Sequence, residues 1–311
     1  MDESPSLVCV GRVVREMIHF PKEVKGPVLG SPPAYCSVAA AKQGTVTAIV
    51  TKIGPDMPLA LLEPIVQAGV DTRGVITSER STRSELIYDS SGNKEIRYPS
   101  MSDSIRPADI PTSFQKCGLI YICPMDEDVL LEDLGAVVAQ GRLSAVDLGG
   151  YGGVHMSKVR RQTFSSLSQL ACDVSAHFTI VKASDEDAAS FMGWNNPERA
   201  AEMLLDCGPQ IVVITLGKDG ALVCTSNGKW HIPAVPGNVV DTTGGGDTFM
   251  AGFLCEYLRS GDPLAAARWG CATATHVIGQ SGGVRLDRMP TREQIQRLLE
   301  SRAKNSLTER S

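Results

Sequence analysis

Three glycines flanked by two aspartates form the stretch of the chain best suited to chemistry. It reads Asp241-Thr-Thr-Gly-Gly-Gly-Asp247, and apolar residues follow at helical spacing over 249–258. Because a glycine run is unfavourable inside a helix or strand, we expect a sharp turn that opens a helix. The start of a helix presents unpaired N–H groups and the positive end of the helix dipole. The pattern therefore predicts an anion site at this turn.

Asp247 is the candidate catalytic residue of that site. A carboxylate beside an anion is unfavourable unless it accepts a proton from a group held there, such as an attacking hydroxyl. The amides of Gly244, Gly245 and Gly246 would stabilise the negative charge that develops. These roles predict phosphoryl transfer to a hydroxyl. The alternative is a capped helix after a glycine-rich turn, and the two flanking aspartates argue against it.

The composition is that of an ordinary soluble globular protein, long enough for one large α/β domain or for two domains. Hydrophobic residues make up 42% and charged residues 21% of the 311 residues. The net charge of −5 argues against nucleic acid or an acidic membrane as a partner. The sequence shows no basic leader and no long apolar run, so we expect a cytoplasmic protein without a membrane segment. The nine cysteines include no C-x-x-C pair, and we expect reduced core thiols rather than disulfides or zinc ligands.

Apolar runs alternate with segments of helical spacing through most of the chain, which is typical of βαβ units and a largely parallel sheet. We predict strands at 7–14, 45–53, 119–123, 143–148, 178–181, 211–216 and 221–224. We predict helices at 34–43, 59–67, 126–139, 157–170, 185–192, 197–207, 264–277 and 291–304. The elements fit one α/β domain over 1–304 with a frayed tail at 305–311.

Residues 83–98 break this alternation. Two runs of mixed polar and apolar residues flank a turn at 90–93, a pattern typical of a β-hairpin. A two-stranded hairpin is marginally stable alone, so we expect it to lean on another segment, such as the early polar stretch. We therefore predict a small sheet built from about 12–29 and 83–100. The alternative is a surface hairpin without a functional role.

The stretch that ends at Asp247 resembles the D-T-x-G-A-G-D motif of ribokinase-like (PfkB-type) carbohydrate kinases, with Gly245 where alanine is usual. That replacement keeps the backbone amide. The resemblance covers nearly the whole chain and implies a three-layer α/β/α fold with a mainly parallel central sheet and a small β-sheet lid over the sugar. It also implies that Asp247 is the catalytic base and that Gly244, Gly245 and Gly246 line the anion hole. Short strings at 182–186 and 276–280 are similar to the inositol-kinase-like branch.

The resemblance implies an ATP site at two further strand ends. Thr215, Gly217 and Gly220 match the T-x-G-x-x-G motif that lies against the nucleotide, although a sequence of this kind between strands is often only a turn. Ser184 and Asp187 stand at the family's N-x-x-E positions, where they would hold Mg²⁺ directly or through water. The alternative for this pair is capping of the helix that follows.

The acceptor side departs most from the family pattern. Aligned back from the glycine at 44, the family's Gly-Gly pair becomes Gly30 and Ser31, and its asparagine becomes Tyr35. The early acid of the family becomes Glu16. Glu16 and Asp147 are the candidates for binding substrate hydroxyls, because a carboxylate can accept hydrogen bonds from two neighbouring hydroxyls. The alternative is that either carboxylate is an exposed charge.

Two further sites follow from the resemblance alone. Asp241 and Thr243, with a loop at about 278–283, would hold a monovalent cation such as K⁺. His276 is a candidate for the nucleotide site, although a histidine at a helix end is the plainer interpretation. The resemblance also implies a homodimer joined through the lid.

The chain as a whole is predicted to be an ATP- and Mg²⁺-dependent kinase of a small sugar or a myo-inositol-like cyclitol. A nucleoside kinase of the same fold is the second interpretation. A ligand-sensing or regulatory homologue that has lost phosphoryl transfer is the third, and the altered Gly-Gly region leaves room for it.

Overall fold

The computed structural model describes residues 4–89 and 94–308. The strands of these residues, β1 to β13 in chain order, are Leu7–Val10, Val14–Phe20, Glu23–Gly30, Thr47–Ile53, Asp71–Thr77, Thr82–Tyr88, Lys94–Ser100, Cys117–Ile122, Gly141–Asp147, Ile180–Ser184, Ile211–Thr215, Ala221–Thr225 and Gly228–Ile232. The helices, α1 to α10, are Pro32–Lys42, Leu59–Gln67, Leu131–Val138, Lys158–Arg161, Leu167–Ser175, Asp185–Met192, Pro197–Asp206, Gly245–Ser260, Pro263–Ile278 and Arg292–Thr308.

A nine-stranded sheet forms the centre of the fold, in the order β13-β12-β11-β10-β9-β8-β1-β4-β5. Pairing is parallel from β11 through to β5, and β12 and β13 run antiparallel at one edge. The inner strands are mostly apolar and buried, as is typical of strands covered on both faces. The predicted mainly parallel α/β sheet is confirmed. The sequence patterns did not reveal β5 or β13.

Helices cover both faces of this sheet. Along β1, Leu7 and Cys9 belong to one apolar cluster, and Val8 and Val10 belong to the other. Successive side chains of a strand point to opposite faces, so the two clusters are two layers of core. The first cluster is completed by α1, α2, α8 and α9, and the second by α3, α5, α6 and α7. The three-layer α/β/α architecture is therefore confirmed.

A second sheet of four strands has the order β3-β2-β6-β7. The hairpin predicted at 83–98 is present as β6 and β7, and its predicted turn at 90–93 lies outside the described residues. The inner strands β2 and β6 are parallel, whereas β3 and β7 pair antiparallel with them. The hairpin thus pairs with the early polar segment, as its marginal stability alone requires.

Three local predictions were wrong. The helix predicted at 157–170 is two helices, α4 and α5, because Ser157 and Ser166 each cap a new helix start. The helix predicted at 126–139 starts only at Leu131, after a segment in which Asp128 accepts hydrogen bonds from Arg12. The last helix, α10, continues to Thr308, into the stretch predicted as a tail.

The expectation of reduced cysteines was wrong for one pair. Cys172 on α5 and Cys207 at the end of α7 form a disulfide, with their Cα atoms 5.4 Å apart. The two helices pack on the same face of the central sheet, which brings together cysteines separated by 35 residues. The other seven cysteines are free and buried, as predicted for core thiols.

Candidate active site

The triple glycine starts α8, as predicted. Gly244 has φ 78° and caps the helix, and a Cβ there would stand 2.4 Å from Cε1 of Tyr35. Glycine is therefore required at this position by both backbone and space. A Cβ on Gly245, where alanine is usual in the family, would stand 3.1 Å from Ile278 Cγ2, a tight contact.

The first turn of α8 carries the donors of an anion site. The Gly245 amide donates to the carbonyl of Thr242 over 3.1 Å, and helix geometry gives the next amides, those of Gly246 and Asp247, no acceptor within the helix. Gly246 is exposed and Asp247 is half-buried. An anion can therefore reach these amides from solvent.

A buried lysine stands beside these amides. Lys182 Nζ lies 3.5 Å from the point where a Cβ would stand on Gly246. Burial opposes the charge of Lys182, but the surrounding carboxylates of Asp147, Asp187 and Asp247 outweigh it and raise its pKa above the ordinary value. A permanent positive charge thus faces the first turn of α8. Lys182 was not among the predicted site residues, although a lysine in the otherwise mostly apolar strand β10 was a usable signal.

Asp147 lies directly across from Lys182 on neighbouring parallel strands. Its Oδ2 atom is 2.8 Å from Lys182 Nζ, and its Oδ1 atom accepts the Gly149 amide over 2.9 Å. The carboxylate is buried, so the exposed-charge alternative was wrong for Asp147. Its role as a substrate ligand stays a prediction.

Ser184 and Asp187 cap α6 reciprocally. The Ser184 hydroxyl accepts the Asp187 amide over 3.0 Å, and Asp187 Oδ2 accepts the Ser184 amide over 2.8 Å. The capping interpretation is therefore confirmed. Asp187 Oδ1 also accepts the Val154 amide over 2.9 Å. Burial opposes its charge, yet Lys182, His155 and these amides together lower the pKa of Asp187.

A carboxylate held in this way can still serve a metal through water, because each oxygen has a second lone pair. Among the described residues, no cluster of three or more acidic, histidine or cysteine side chains is arranged to hold a metal ion. Mg²⁺ keeps several waters and is commonly held by one or two carboxylates with substrate phosphates. Asp187 fits that pattern, and its role as a magnesium ligand stays a prediction.

The candidate nucleotide turn follows β11. Thr215 is the register partner of Ser184 on β10, so the two motifs lie on adjacent strand ends. A Cβ on Gly220 would stand 2.1 Å from the Ile232 carbonyl oxygen, which makes this glycine a packing requirement. A Cβ on Gly217 would meet nothing within 4 Å, so its backbone is open to a ligand.

His276 is in the last turn of α9 and is half-buried. Burial lowers the pKa of His276, which favours the neutral imidazole. A neutral ring can donate or accept a hydrogen bond. A contact of His276 with a nucleotide stays a prediction.

The acceptor side contains buried polar groups. Glu16 on β2 is buried, and its carboxyl carbon lies 3.1 Å from the point where a Cβ would stand on Gly30. The Ser84 hydroxyl donates to Glu16 Oε2 over 3.2 Å. The exposed-charge alternative was therefore wrong for Glu16 as well.

Ser31 is buried with φ 93°, a left-handed conformation that favours glycine. Its hydroxyl and that of Tyr121 are buried, and neither has a hydrogen-bond partner among the described residues. Burial, together with the nearby carboxylates of Asp147 and Asp247, raises the pKa of Tyr121 well above the usual value. Tyr35, by contrast, packs against Gly244 and accepts a hydrogen bond from Arg288 over 3.3 Å.

The second sheet reaches the same site through Tyr88. Burial, Asp241 and Glu16 raise the pKa of Tyr88, and a hydrogen bond with Thr243 opposes that rise. Tyr88 therefore lies beside both the acceptor side and the loop before the glycines. Asp241 closes this loop, because its Oδ1 accepts the Thr243 amide over 2.9 Å and its Oδ2 accepts the Gly282 amide over 3.2 Å.

The chain is similar to several known kinases. A cytidine kinase of Thermococcus kodakarensis is 27% identical over 89% of this chain and 97% of its own length. A 5-dehydro-2-deoxygluconokinase of Geobacillus kaustophilus is 26% identical over 96% of this chain and 90% of its own length. A solved fructokinase of Vibrio cholerae O395, bound to fructose, ADP and potassium ion, superposes with a TM-score of 0.78 at 21% identity, covering 96% of this chain and all of that one.

None of the helices in the described residues combines the length and apolarity needed to span a bilayer. The model of the pfkB family of carbohydrate kinases matches residues 6–292, nearly the whole chain. The proteins named above are kinases with different acceptors, namely a nucleoside, a sugar acid and a sugar. The comparisons therefore support a kinase without identifying its acceptor. The chain belongs to the pfkB family of carbohydrate kinases.

Proposed function

We propose that the chain transfers the γ-phosphoryl group of ATP to a hydroxyl of a small sugar or a myo-inositol-like cyclitol. The observation that carries the proposal is the meeting of Asp247, the first-turn amides of α8 and the Lys182 ammonium at the carboxyl ends of the central strands. Ligands of open α/β sheets bind at that edge.

In this proposal Asp247 accepts the proton of the attacking hydroxyl as the oxygen attacks the γ-phosphorus. The amides of Gly244 to Asp247 stabilise the charge on the transferred group. Lys182 adds a buried positive charge at the same place, which is stronger there than in water because the surroundings are less polar. Positioning and electrostatics of this kind supply most of the catalysis of phosphoryl transfer.

The nucleotide would lie over Gly217, whose backbone is open, with Thr215, Ser184, Gly220 and His276 around it. Mg²⁺ would neutralise charge on the phosphates. Asp187 would hold the metal through water, since both of its oxygens already accept a backbone amide.

The acceptor would bind between Glu16 and Ser31, beside Gly30. A buried carboxylate suits vicinal hydroxyls, and the unpartnered Ser31 hydroxyl offers a further hydrogen bond. Buried polar groups without partners are costly, so a polyhydroxylated ligand that pairs with them gains affinity. Asp147, a candidate ligand of the acceptor, would also hold Lys182 in place through their ion pair.

A nucleoside is the second candidate acceptor. The cytidine kinase of Thermococcus kodakarensis matches over nearly its whole length. Phe20 and Tyr88 form a stacked pair with ring centroids 5.2 Å apart, next to Glu16 and Thr243. An aromatic surface of this kind can stack on a base.

The test is release of ADP in a coupled assay with ATP and Mg²⁺ across pentoses, hexoses, cyclitols and nucleosides. We expect one cyclitol or sugar to stimulate ADP release in the wild type and not in Asp247→Asn. If only a nucleoside stimulates ADP release, the acceptor is a nucleoside and not a sugar or cyclitol. ATP binding without stimulation by any acceptor would favour a sensing homologue and overturn the proposal.

The second sheet would serve as the lid over the acceptor, since Tyr88 connects it to Thr243. A homodimer through this sheet is part of the proposal, because β3 is exposed along most of its length and Val24 is 57% exposed. Sedimentation that gives a monomer at micromolar concentration would remove the dimer. A cytoplasmic location stays a prediction from composition.

A further inference from the structure

A fully buried arginine, Arg288, joins the two segments behind the anion site. One segment, 241–243, leads into Gly244, and the other, 277–283, includes the end of α9 and the loop after it. The guanidinium donates to five backbone carbonyl oxygens: Nη2 to Thr243 (2.9 Å) and Asp241 (3.3 Å), Nε to Val277 (3.1 Å), and Nη1 to Gly283 (3.4 Å) and Gly282. Nη1 also donates to the Tyr35 hydroxyl oxygen over 3.3 Å.

The surroundings of this guanidinium are those of a cation-binding cage. Its partners are all oxygen atoms, and the Asp241 carboxylate adds a negative charge, with Oδ2 4.0 Å from Nη2. The guanidinium has five N–H donors and these are all used by the six acceptors. Arginine stays protonated at every accessible pH, so the positive charge is permanent.

The cage coincides with the place predicted for a monovalent cation. Asp241, Thr243 and the loop at 278–283 were the expected ligands, and Arg288 bonds to each of these elements. A K⁺ ion would need the same carbonyl oxygens and would stand beside a buried like charge. Repulsion between two such charges in a buried site is large. The residues present therefore do not fit K⁺.

We propose that the Arg288 guanidinium replaces the monovalent cation, so that phosphoryl transfer by this chain is independent of K⁺. Of the two measurements that test this inference, only that of enzymatic activity rests on the proposed kinase function. Arg288 is a positioning residue, because it acts through the carbonyls of 241–243 on the adjacent Gly244. Tyr35 is a second link, since its hydroxyl bonds Arg288 and its ring packs on Gly244.

The test compares KCl with choline chloride at constant ionic strength. Two quantities are measured in each salt: kcat for ADP release and the midpoint of thermal unfolding. For the wild type we expect both to be the same in the two salts. A saturable rise of kcat with K⁺, or a rise of the unfolding midpoint with K⁺ and not with choline, would overturn the proposal.

Arg288→Met supplies the complementary arm. In choline its kcat should fall by about 10²-fold, in the range seen when one donor of an anion hole is lost. K⁺ should then restore part of kcat and raise the unfolding midpoint, because the freed carbonyls and Asp241 now face a cavity. A folded Arg288→Met with wild-type kcat and no response to K⁺ would contradict the positioning role.

Arg285→Met is the matched control. Arg285 is on the same segment, is exposed and pairs with the exposed Asp287, so its loss should change neither kcat nor the response to K⁺. If Arg288→Met does not fold, the wild-type titration alone decides the question. The unfolding midpoint can be measured without an acceptor. If no acceptor stimulates ADP release, the result counts against the kinase proposal, and the unfolding midpoint still tests the cation proposal.

Discussion

On the transfer side of the proposed site, Asp147 pairs with Lys182 and Asp187 accepts two backbone amides, whereas on the acceptor side Ser31 buries a hydroxyl that no described residue pairs. The transfer side includes the first turn of α8, and the acceptor side includes Glu16. The carboxylates and the ammonium of the first side are paired before any ligand binds, and the amides at the start of α8 remain for the phosphate. On the acceptor side, the Ser31 hydroxyl can form a hydrogen bond with a particular substrate. Variants of the two sides should therefore change different kinetic constants.

Asp247→Asn should produce the largest effect. Loss of the base should lower kcat by about 10²–10⁴-fold and leave the acceptor KM nearly unchanged, because the proton is accepted only as the hydroxyl attacks. Steady-state kinetics of ADP release measure both constants. Asp262→Asn is the control, since Asp262 caps α9 on the surface and asparagine caps as well. An Asp247→Asn enzyme with wild-type kcat would remove the base assignment.

Lys182→Met should lower both kcat and stability. We expect kcat to fall by about 10²–10³-fold, as for loss of one electrostatic stabiliser. Unfolding in denaturant should show a loss of about 3–5 kcal/mol, because the buried Asp147 carboxylate loses its partner.

Combining Lys182→Met with Asp147→Asn separates the two effects. The double variant removes both charges, so it should recover part of the stability and none of the kcat. Recovery of kcat together with stability would show that Lys182 has only a structural role. Its assignment to the transfer side would then be wrong.

Glu16→Gln should act on the acceptor alone. A hydrogen bond to a charged group contributes about 1.5–3 kcal/mol, so the acceptor KM should rise roughly ten- to hundredfold with kcat little changed. Glu85→Gln is the matched control, because Glu85 follows Ser84 on β6 and points to the opposite, more exposed face. A fall in kcat at constant KM would place Glu16 on the transfer side.

Ser31→Gly should give the smallest change, and in the opposite direction for stability. Glycine relieves the left-handed conformation at φ 93°, so the protein should gain about 1 kcal/mol of unfolding free energy while the acceptor KM rises. Ser31→Ala loses the unpaired hydroxyl and keeps the strain, so it should raise KM with a smaller gain in stability. Equal stability of the two variants would contradict this account of Ser31.

The sequence predicted what local patterns encode. The triple glycine, Asp247 and the Ser184–Asp187 cap lie within a few residues of the partners that define them, and strand periodicity located the strand ends that gather them. The large sheet followed from apolar runs for the same reason.

What the sequence did not reveal depends on distant partners. Arg288 bonds to carbonyls up to 47 residues away and to Tyr35 253 residues away, and nothing in its own segment distinguishes it from an exposed arginine. Lys182 and Asp147 are 35 residues apart in the sequence, as are the disulfide partners Cys172 and Cys207. A local sequence pattern therefore reveals neither pairing. Pairings of this kind are set by the tertiary fold, which periodicity does not specify.

The outer strand of the second sheet has a consequence for self-association. β3 leaves one edge of the sheet open, and such an edge can recruit a strand from another molecule and lead to aggregation. On this strand Glu23 and Lys25 pair on the exposed surface, and Pro27 has no N–H to offer a neighbouring chain. Charge and proline at the edge disfavour such strand addition. Two copies that meet through this sheet are therefore not expected to pair along β3, and this edge is protected against aggregation in a crowded solution.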